Sequence, residues 1–77
     1  MQHASNPQPK TIKLKDLQPG DGFVGEEERA GQHPRRVPRW ETVLRVTQCY
    51  AGASTEYISV SGRLYFGRSD SEIEIWR

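Results

Sequence analysis

The chain has 77 residues, a formal net charge of +1 and 34% hydrophobic residues. A chain of this length forms one small domain that buries about 60% of its unfolded surface, so a deep enclosed active site would consume most of the core. The low net charge excludes long-range electrostatic steering, and the single cysteine, Cys49, excludes an internal disulfide and a multi-thiolate metal site.

The first ten residues, MQHASNPQPK, are polar, contain two prolines and show no apolar periodicity. We therefore predict a flexible tail over 1–10 and a folded domain over 11–77. The domain begins with TIKLK, in which Ile12 and Leu14 alternate with polar residues. This period of two is typical of a strand with one face in water.

The segment DLQPGDGFV predicts a turn between the first two strands. Pro19 and Gly20 form a turn dipeptide, and the carboxylate of Asp21 can accept hydrogen bonds from nearby turn amides. Leu17 is the expected apolar anchor before the turn, and Phe23 starts the next strand.

The segment from Gly25 to Arg39 contains no regular pattern. Two glycines and two prolines divide it, and it combines the acidic run GEEERAG with the basic run HPRRVPRW. We predict one long charged loop here, with at most a single helical turn at EEERA.

Strong β-formers return at WETVLRVTQCY and continue to the end of the chain. Short polar turns at AGAS, SG and RSDS separate these strands, and EIEIWR closes the series with Ile73 and Ile75 inward. The alternation predicts that the other core-facing residues are Trp40, Thr42, Leu44, Val46, Ile58, Val60, Leu64 and Phe66. Five or six short antiparallel strands without a long helix predict an all-β fold that curls into a small barrel, because full or partial closure removes exposed sheet edges.

The order of these pieces resembles an SH3-like barrel. The opener L-x-x-G-D appears as Leu17, Gly20 and Asp21, followed by a strand, a long loop and three strands joined by tight turns. The chain is similar in particular to short bacterial and phage-encoded proteins with a DLxPGD opening and a charged C-terminal strand. The resemblance covers roughly 11–77, and SH3-like barrels include peptide binders, methyl-lysine readers and nucleic-acid-binding modules. It implies a binding module and leaves the ligand open.

Catalytic and cofactor motifs are scarce. Residues 20–25 spell G-x-G-x-x-G, but a turn precedes them and three glutamates follow, where a dinucleotide site requires a strand and then a helix. We predict turn glycines and no cofactor. His33 is the one histidine beyond the tail, and no nucleophile motif or metal-ligand spacing occurs, so we expect no catalytic residue and no metal site.

The basic run HPRRVPRW is a candidate nucleic-acid site, because arginine forks bind phosphates and a tryptophan face can stack on a base. Its candidate residues are Arg35, Arg36, Arg39 and Trp40, extended by Lys13 and Lys15 if the first strand lies beside the loop. The alternative is that Glu26, Glu27 and Glu28 pair with these arginines and cancel the field of the patch, which then only stiffens a loop.

A candidate protein interface comprises Tyr57, Tyr65 and Trp76. Tyr57 and Tyr65 are expected to be cross-strand neighbours on the outward faces of their strands, and outward aromatics are frequent in interfaces.

We therefore predict a cytoplasmic, non-catalytic binding module of the phage or mobile-element accessory type. Its partner is a protein or a nucleic acid, with no membrane contact, and a homodimer joined through strand edges is a further alternative.

Overall fold

The structure, a computed structural model, describes the backbone of residues 8–29 and 35–77, and their side chains except those of 27–29, 35 and 36. The described residues form six strands and one short 3-10 turn at Leu14–Asp16. The strands are β1 (Pro9–Lys13), β2 (Gly22–Arg29), β3 (Arg35–Cys49), β4 (Ser54–Ser59), β5 (Leu64–Arg68) and β6 (Glu72–Trp76). The predicted all-β class is confirmed, and β1 begins at Pro9, two residues earlier than the sequence pattern placed it.

All six strands belong to one antiparallel sheet in the order β1-β6-β2-β3-β4-β5. The sheet is curled but not closed, since β1 and β5 form its two edges. The 3-10 turn crosses the end of β5, where the Leu14 amide donates to the Ser71 carbonyl at 2.9 Å and the Lys15 amide to the Ser69 carbonyl at 3.1 Å.

The hydrophobic core lies inside the curl of the sheet. Phe23 of β2 and Ile75 of β6 are almost fully buried, as predicted for Ile75 from the alternation of EIEIWR. Leu17 is also buried and confirms the predicted anchor before the turn. The full buried cluster is Leu14, Leu17, Phe23, Val43, Tyr57 and Ile75, with Ile12, Val46, Tyr65 and Ile73 packed against it.

The predicted turns are present. Gly20 adopts φ +94° and Gly62 adopts φ +91°, a region that L side chains rarely enter, so glycine is required at both positions. The Gln18 amide donates to the Asp21 carboxylate at 2.9 Å, which is the turn contact expected for this aspartate.

The predicted loop from Gly25 to Arg39 is wrong for the residues that the structure describes. β2 extends to Arg29 and β3 begins at Arg35, and the two strands pair over this whole stretch, with Glu28 opposite Arg36. Main-chain pairing and the facing of acidic and basic positions explain why strands form despite the glycines and prolines. Pro38 is tolerated because β3 lacks a second neighbour there. His33 lies outside the described residues.

Gly22 and Gly25 are strand residues of β2, so the prediction of turn glycines is wrong at these two positions. A Cβ on Gly22 would overlap the indole ring of Trp40, and a Cβ on Gly25 would lie 2.5 Å from the hydroxyl oxygen of Tyr65. Both glycines are needed because aromatic rings lie directly on the strand.

The predicted inward face of β3 is also wrong at its start. Trp40 is 54% exposed and Leu44 56% exposed, whereas Glu41 and Val43 are buried. A register shift between Val43 and Arg45 then brings Val46 back toward the core, because a bulge inserts one extra residue into the alternation.

On β4 and β5 the two faces are exchanged relative to the prediction. Tyr57 and Ser59 are buried, whereas Leu64 and Phe66 are 62% and 77% exposed. Tyr57 and Tyr65 are cross-strand neighbours as predicted, with stacked rings 5.4 Å apart, but they face the core. Polar residues can occupy the inner face because hydrogen bonds satisfy them, as shown by the 2.7 Å contact between the hydroxyls of Ser59 and Ser61.

Candidate functional site

A buried ion pair holds the PGD turn in place. The Arg77 guanidinium donates to both Asp21 carboxylate oxygens at 2.9 Å, and its Nη2 also donates to the Asp16 carbonyl at 3.2 Å. Burial alone would raise the pKa of Asp21, but the hydrogen bonds from Arg77 and the Gln18 amide outweigh it and lower that pKa. The motif therefore ties the turn to Arg77, the residue that follows β6, and its carboxylate is already hydrogen-bonded.

A second polar cluster surrounds the buried carboxylate of Glu41. The Tyr65 hydroxyl donates to Glu41 Oε2 at 2.7 Å and the Ser61 hydroxyl to Oε1 at 2.9 Å. The Nε atoms of Arg39 and Arg63 lie 3.9 and 3.8 Å from the same carboxylate. Glu41 thus connects β3 to β5 through partners that satisfy it, and no local pattern in the sequence indicates this role.

The Glu41 cluster borders an open depression of about 470 Å³. Its aromatic floor is formed by Phe23, Tyr57 and Tyr65, whose rings pack at centroid distances of 5.1 to 5.4 Å. Burial and then the hydrogen bond to Glu41 raise the pKa of Tyr65 to about 12, so this phenol stays protonated and acts as a donor. The rings pack on one another rather than toward a ligand, which makes this cluster a structural part of the core.

The outer side of β3, β4 and β5 has the opposite character. Its apolar residues form one surface, named here the outer apolar face: the exposed Leu44, Val60, Leu64 and Phe66 and the half-buried Ile58. Ile58 is opposite Leu64 in the register, and Leu44 lies at the bulge of β3 beside Ile58. These side chains therefore leave apolar surface on neighbouring strands in contact with solvent.

Charged residues of both signs lie among the apolar residues of the outer apolar face, so the face has no strong net charge. Arg45 is opposite Ile58, and Glu56 is opposite Phe66 on the neighbouring strand. Arg68 Nε lies 3.4 Å from Asp70 Oδ1, so the Asp70 carboxylate partly neutralises the positive charge of Arg68. The sequence showed the apolar alternation of these strands, but a period-two pattern cannot say which face is buried.

The structure does not assemble the predicted nucleic-acid patch. Lys13 lies on β1 and Arg39 on β3, with β6 and β2 between them, and Lys15 lies in the 3-10 turn. The charge of Arg39 is directed at Glu41. The backbones of Arg35 and Arg36 belong to β3, and their side chains lie outside the described residues.

Trp40 and Trp76 are in contact with each other. Their rings meet edge to face at 5.1 Å, over the strand position of Gly22. Trp76 is therefore half-buried against Trp40, and neither Tyr57 nor Tyr65 lies on an outer surface beside it. The structure does not bring the three predicted interface residues together on one exposed face.

Within residues 8–29 and 35–77, no three His, Cys, Asp or Glu side chains converge into a group that would hold a metal ion. No helix of this described part is long and apolar enough to span a membrane.

Comparison with protein-family models, curated proteins and solved structures gives no match. The resemblance drawn from the DLxPGD opening therefore remains a prediction.

Proposed function

We propose that this chain is a non-catalytic protein-binding module that engages its partner through the outer apolar face. The proposal rests on the exposure of four large apolar side chains. One lies on β3, one in the turn after β4, and two on β5. Leu44, Val60, Leu64 and Phe66 are 56%, 63%, 62% and 77% exposed. Water contact at such a surface is unfavourable by about 25 cal/mol per Å², and a protein partner removes that contact.

A protein suits this surface better than a nucleic acid does. Phosphate binding depends on a cluster of unpaired cations, whereas the outer apolar face carries Arg45 and Arg68 interspersed with Glu56 and Asp70. Phe66 at its most exposed point matches the aromatic anchors that dominate protein interfaces.

The inner side of the same strands supports a role without chemistry. Glu41, Asp21 and Tyr65 are the polar groups that resemble catalytic ones, and each is engaged in structural hydrogen bonds. We further propose a cytoplasmic accessory role of the phage or mobile-element type, which is what the DLxPGD resemblance implies.

Site-specific photo-crosslinking tests the proposal. A photoreactive residue at Val60, on the outer apolar face, should give discrete protein adducts in cells that express the full chain, and Phe66→Arg should abolish them. The matched control is the same residue at Glu74, which is exposed on β6. Adducts with nucleic acid alone, or equal protein adducts at both positions, would contradict the proposal.

A further inference from the structure

The two edge strands of the sheet present different main-chain groups to solvent. In an antiparallel ladder, residues that exchange hydrogen bonds with the neighbour alternate with residues whose amide and carbonyl point away from it. On β5 the bonded pairs are fixed by the Ser59 amide, which donates to Arg63 at 2.9 Å, and the Ser69 amide, which donates to Ala53 at 3.0 Å. The residues whose main-chain groups face the open edge of β5 are therefore Leu64, Phe66 and Arg68.

The same argument applied to β1 gives a blocked edge. The main chains of Gln8 and Arg77 exchange two bonds at 3.3 Å, so the residues that face outward on β1 are Pro9, Thr11 and Lys13. Proline disfavours pairing of this edge with another chain because it has no amide hydrogen to donate. Lysine disfavours it because pairing would bury its charge. β5 contains no proline, and its one charged outward-facing residue, Arg68, lies at its end, whereas Leu64 and Phe66 are exposed apolar residues.

We propose that β5 pairs with β5 of a second copy of this chain, antiparallel, around a two-fold axis that passes beside Phe66. This inference rests on the proposed function and names the partner. In this register Phe66 is opposite the partner's Phe66, and Leu64 is opposite the partner's Arg68. All three outward-facing residues of each strand are then paired, which gives about six main-chain hydrogen bonds across the axis.

Shape and charge favour a second copy in this one register. A shift by two residues in either direction leaves part of the short edge unpaired. The two Arg68 side chains lie opposite Leu64 rather than opposite each other, about 14 Å apart along the strands.

The edge is short, which limits the affinity. The chain turns after Arg68, so the free edge comprises only the five residues of β5. One strand pair with a central aromatic contact is at the small end of specific interfaces. We expect a reversible dimer with a dissociation constant of about 10 μM.

Sedimentation equilibrium of the full chain, from about 1 to 500 μM, tests the inference. The wild type should convert from monomer to dimer, and Phe66→Arg should raise the dissociation constant by at least about 30-fold by placing two like charges at the axis. Val24→Arg is the matched control, because Val24 is also exposed but lies on β2, outside the outer apolar face, with β3 and β4 between it and the edge. Its dissociation constant should stay within about twofold of the wild type.

A disulfide experiment reports the register directly. In a Cys49→Ser background, Phe66→Cys should form a disulfide-linked dimer under mild oxidation, since directly opposite Cα atoms lie about 5.5 Å apart. Glu56→Cys, one strand away from the edge on the same face, should form no disulfide-linked dimer. Unchanged circular dichroism and urea midpoints show that each variant folds.

A monomer at every concentration, or equal loss of the dimer in Val24→Arg, would overturn the edge pairing. The failure of this inference is distinguishable from that of the proposed function. Crosslinks from Val60 to other proteins with a monomeric wild type would refute only the second copy, whereas no protein adduct and no dimer would refute both.

Discussion

In a half-buried sheet, apolar side chains are expected on the buried face and polar side chains on the exposed face. On β3, β4 and β5 several positions show the reverse. The inner face buries Glu41, Thr55 and Ser59, and the outer face exposes Leu64 and Phe66. The inner polar groups are stable there because they bond to one another, as in the 2.9 Å contact between the hydroxyls of Thr55 and Ser69. Hydrogen-bond satisfaction therefore allows polar residues to share the inner face with Val43 and Tyr57, while Leu64 and Phe66 stay exposed on the outer face.

The two phenylalanines give the largest expected contrast between the faces. Phe23→Ala should lower the free energy of unfolding by about 3–5 kcal/mol, because Phe23 is 1% exposed and its loss leaves a cavity. Phe66→Ala should change it by less than about 1 kcal/mol in dilute, monomeric protein, since only cross-strand contacts are lost. Urea denaturation measures both, and a larger cost at Phe66 would show that the outer face is part of the core.

Two glutamates test the same contrast for charged groups. Glu41→Ala removes the acceptor for Tyr65 and Ser61 and should cost about 2–4 kcal/mol. Glu56→Ala, on the exposed face of β4, should stay within about 0.5 kcal/mol of the wild type. Equal effects of the two substitutions in urea denaturation would contradict the structural role of Glu41.

The Asp21–Arg77 pair extends the test to pH. The pKa of Asp21 is lower in the folded chain than its ordinary value of 3.8, so its stabilisation is present above that value and is lost as the pH falls through the folded pKa. Asp21→Asn should therefore lower the unfolding free energy by about 2 kcal/mol at pH 7, and its deficit should shrink below pH ~3.8. A deficit that is constant from pH 7 to about pH 2 would refute the ion pair's contribution.

The smallest contrast is expected from two threonines. Thr55→Val keeps the shape of a fully buried residue but removes the hydroxyl that bonds to Gln48 and Ser69, which should cost about 1 kcal/mol. Thr47→Val, exposed on β3, should change stability by only a few tenths of a kcal/mol, since no buried group loses a partner. A stabilising effect of Thr55→Val in urea denaturation would contradict the account of the inner face.

The sequence was sufficient for the elements whose signals are local. Gly20 and Gly62 marked turns because those turns need positive φ, and the alternation of Ile73 and Ile75 marked the inward face of β6. The neighbouring positions of Tyr57 and Tyr65 followed from the SG turn between their strands. Each of these features depends on residues that lie close together along the chain.

The features that the sequence did not reveal depend on distant partners. Glu41 is buried because Ser61 and Tyr65 come to it from other parts of the chain, and nothing beside it in the sequence indicates this. The bulge between Val43 and Arg45 is equally invisible to a period-two pattern. The assignment of the apolar face of β4 and β5 to the core was wrong for the same reason, and the predicted loop missed the pairing of β2 with β3.

Amide hydrogen exchange of single residues on β5 tests the outer surface most directly. The amides of Tyr65 and Gly67 face β4 and should be protected at every protein concentration, whereas those of Leu64, Phe66 and Arg68 should be unprotected at about 1 μM and become protected at about 500 μM. Protection of the second group that does not change with concentration would contradict the proposal that a second copy covers this edge.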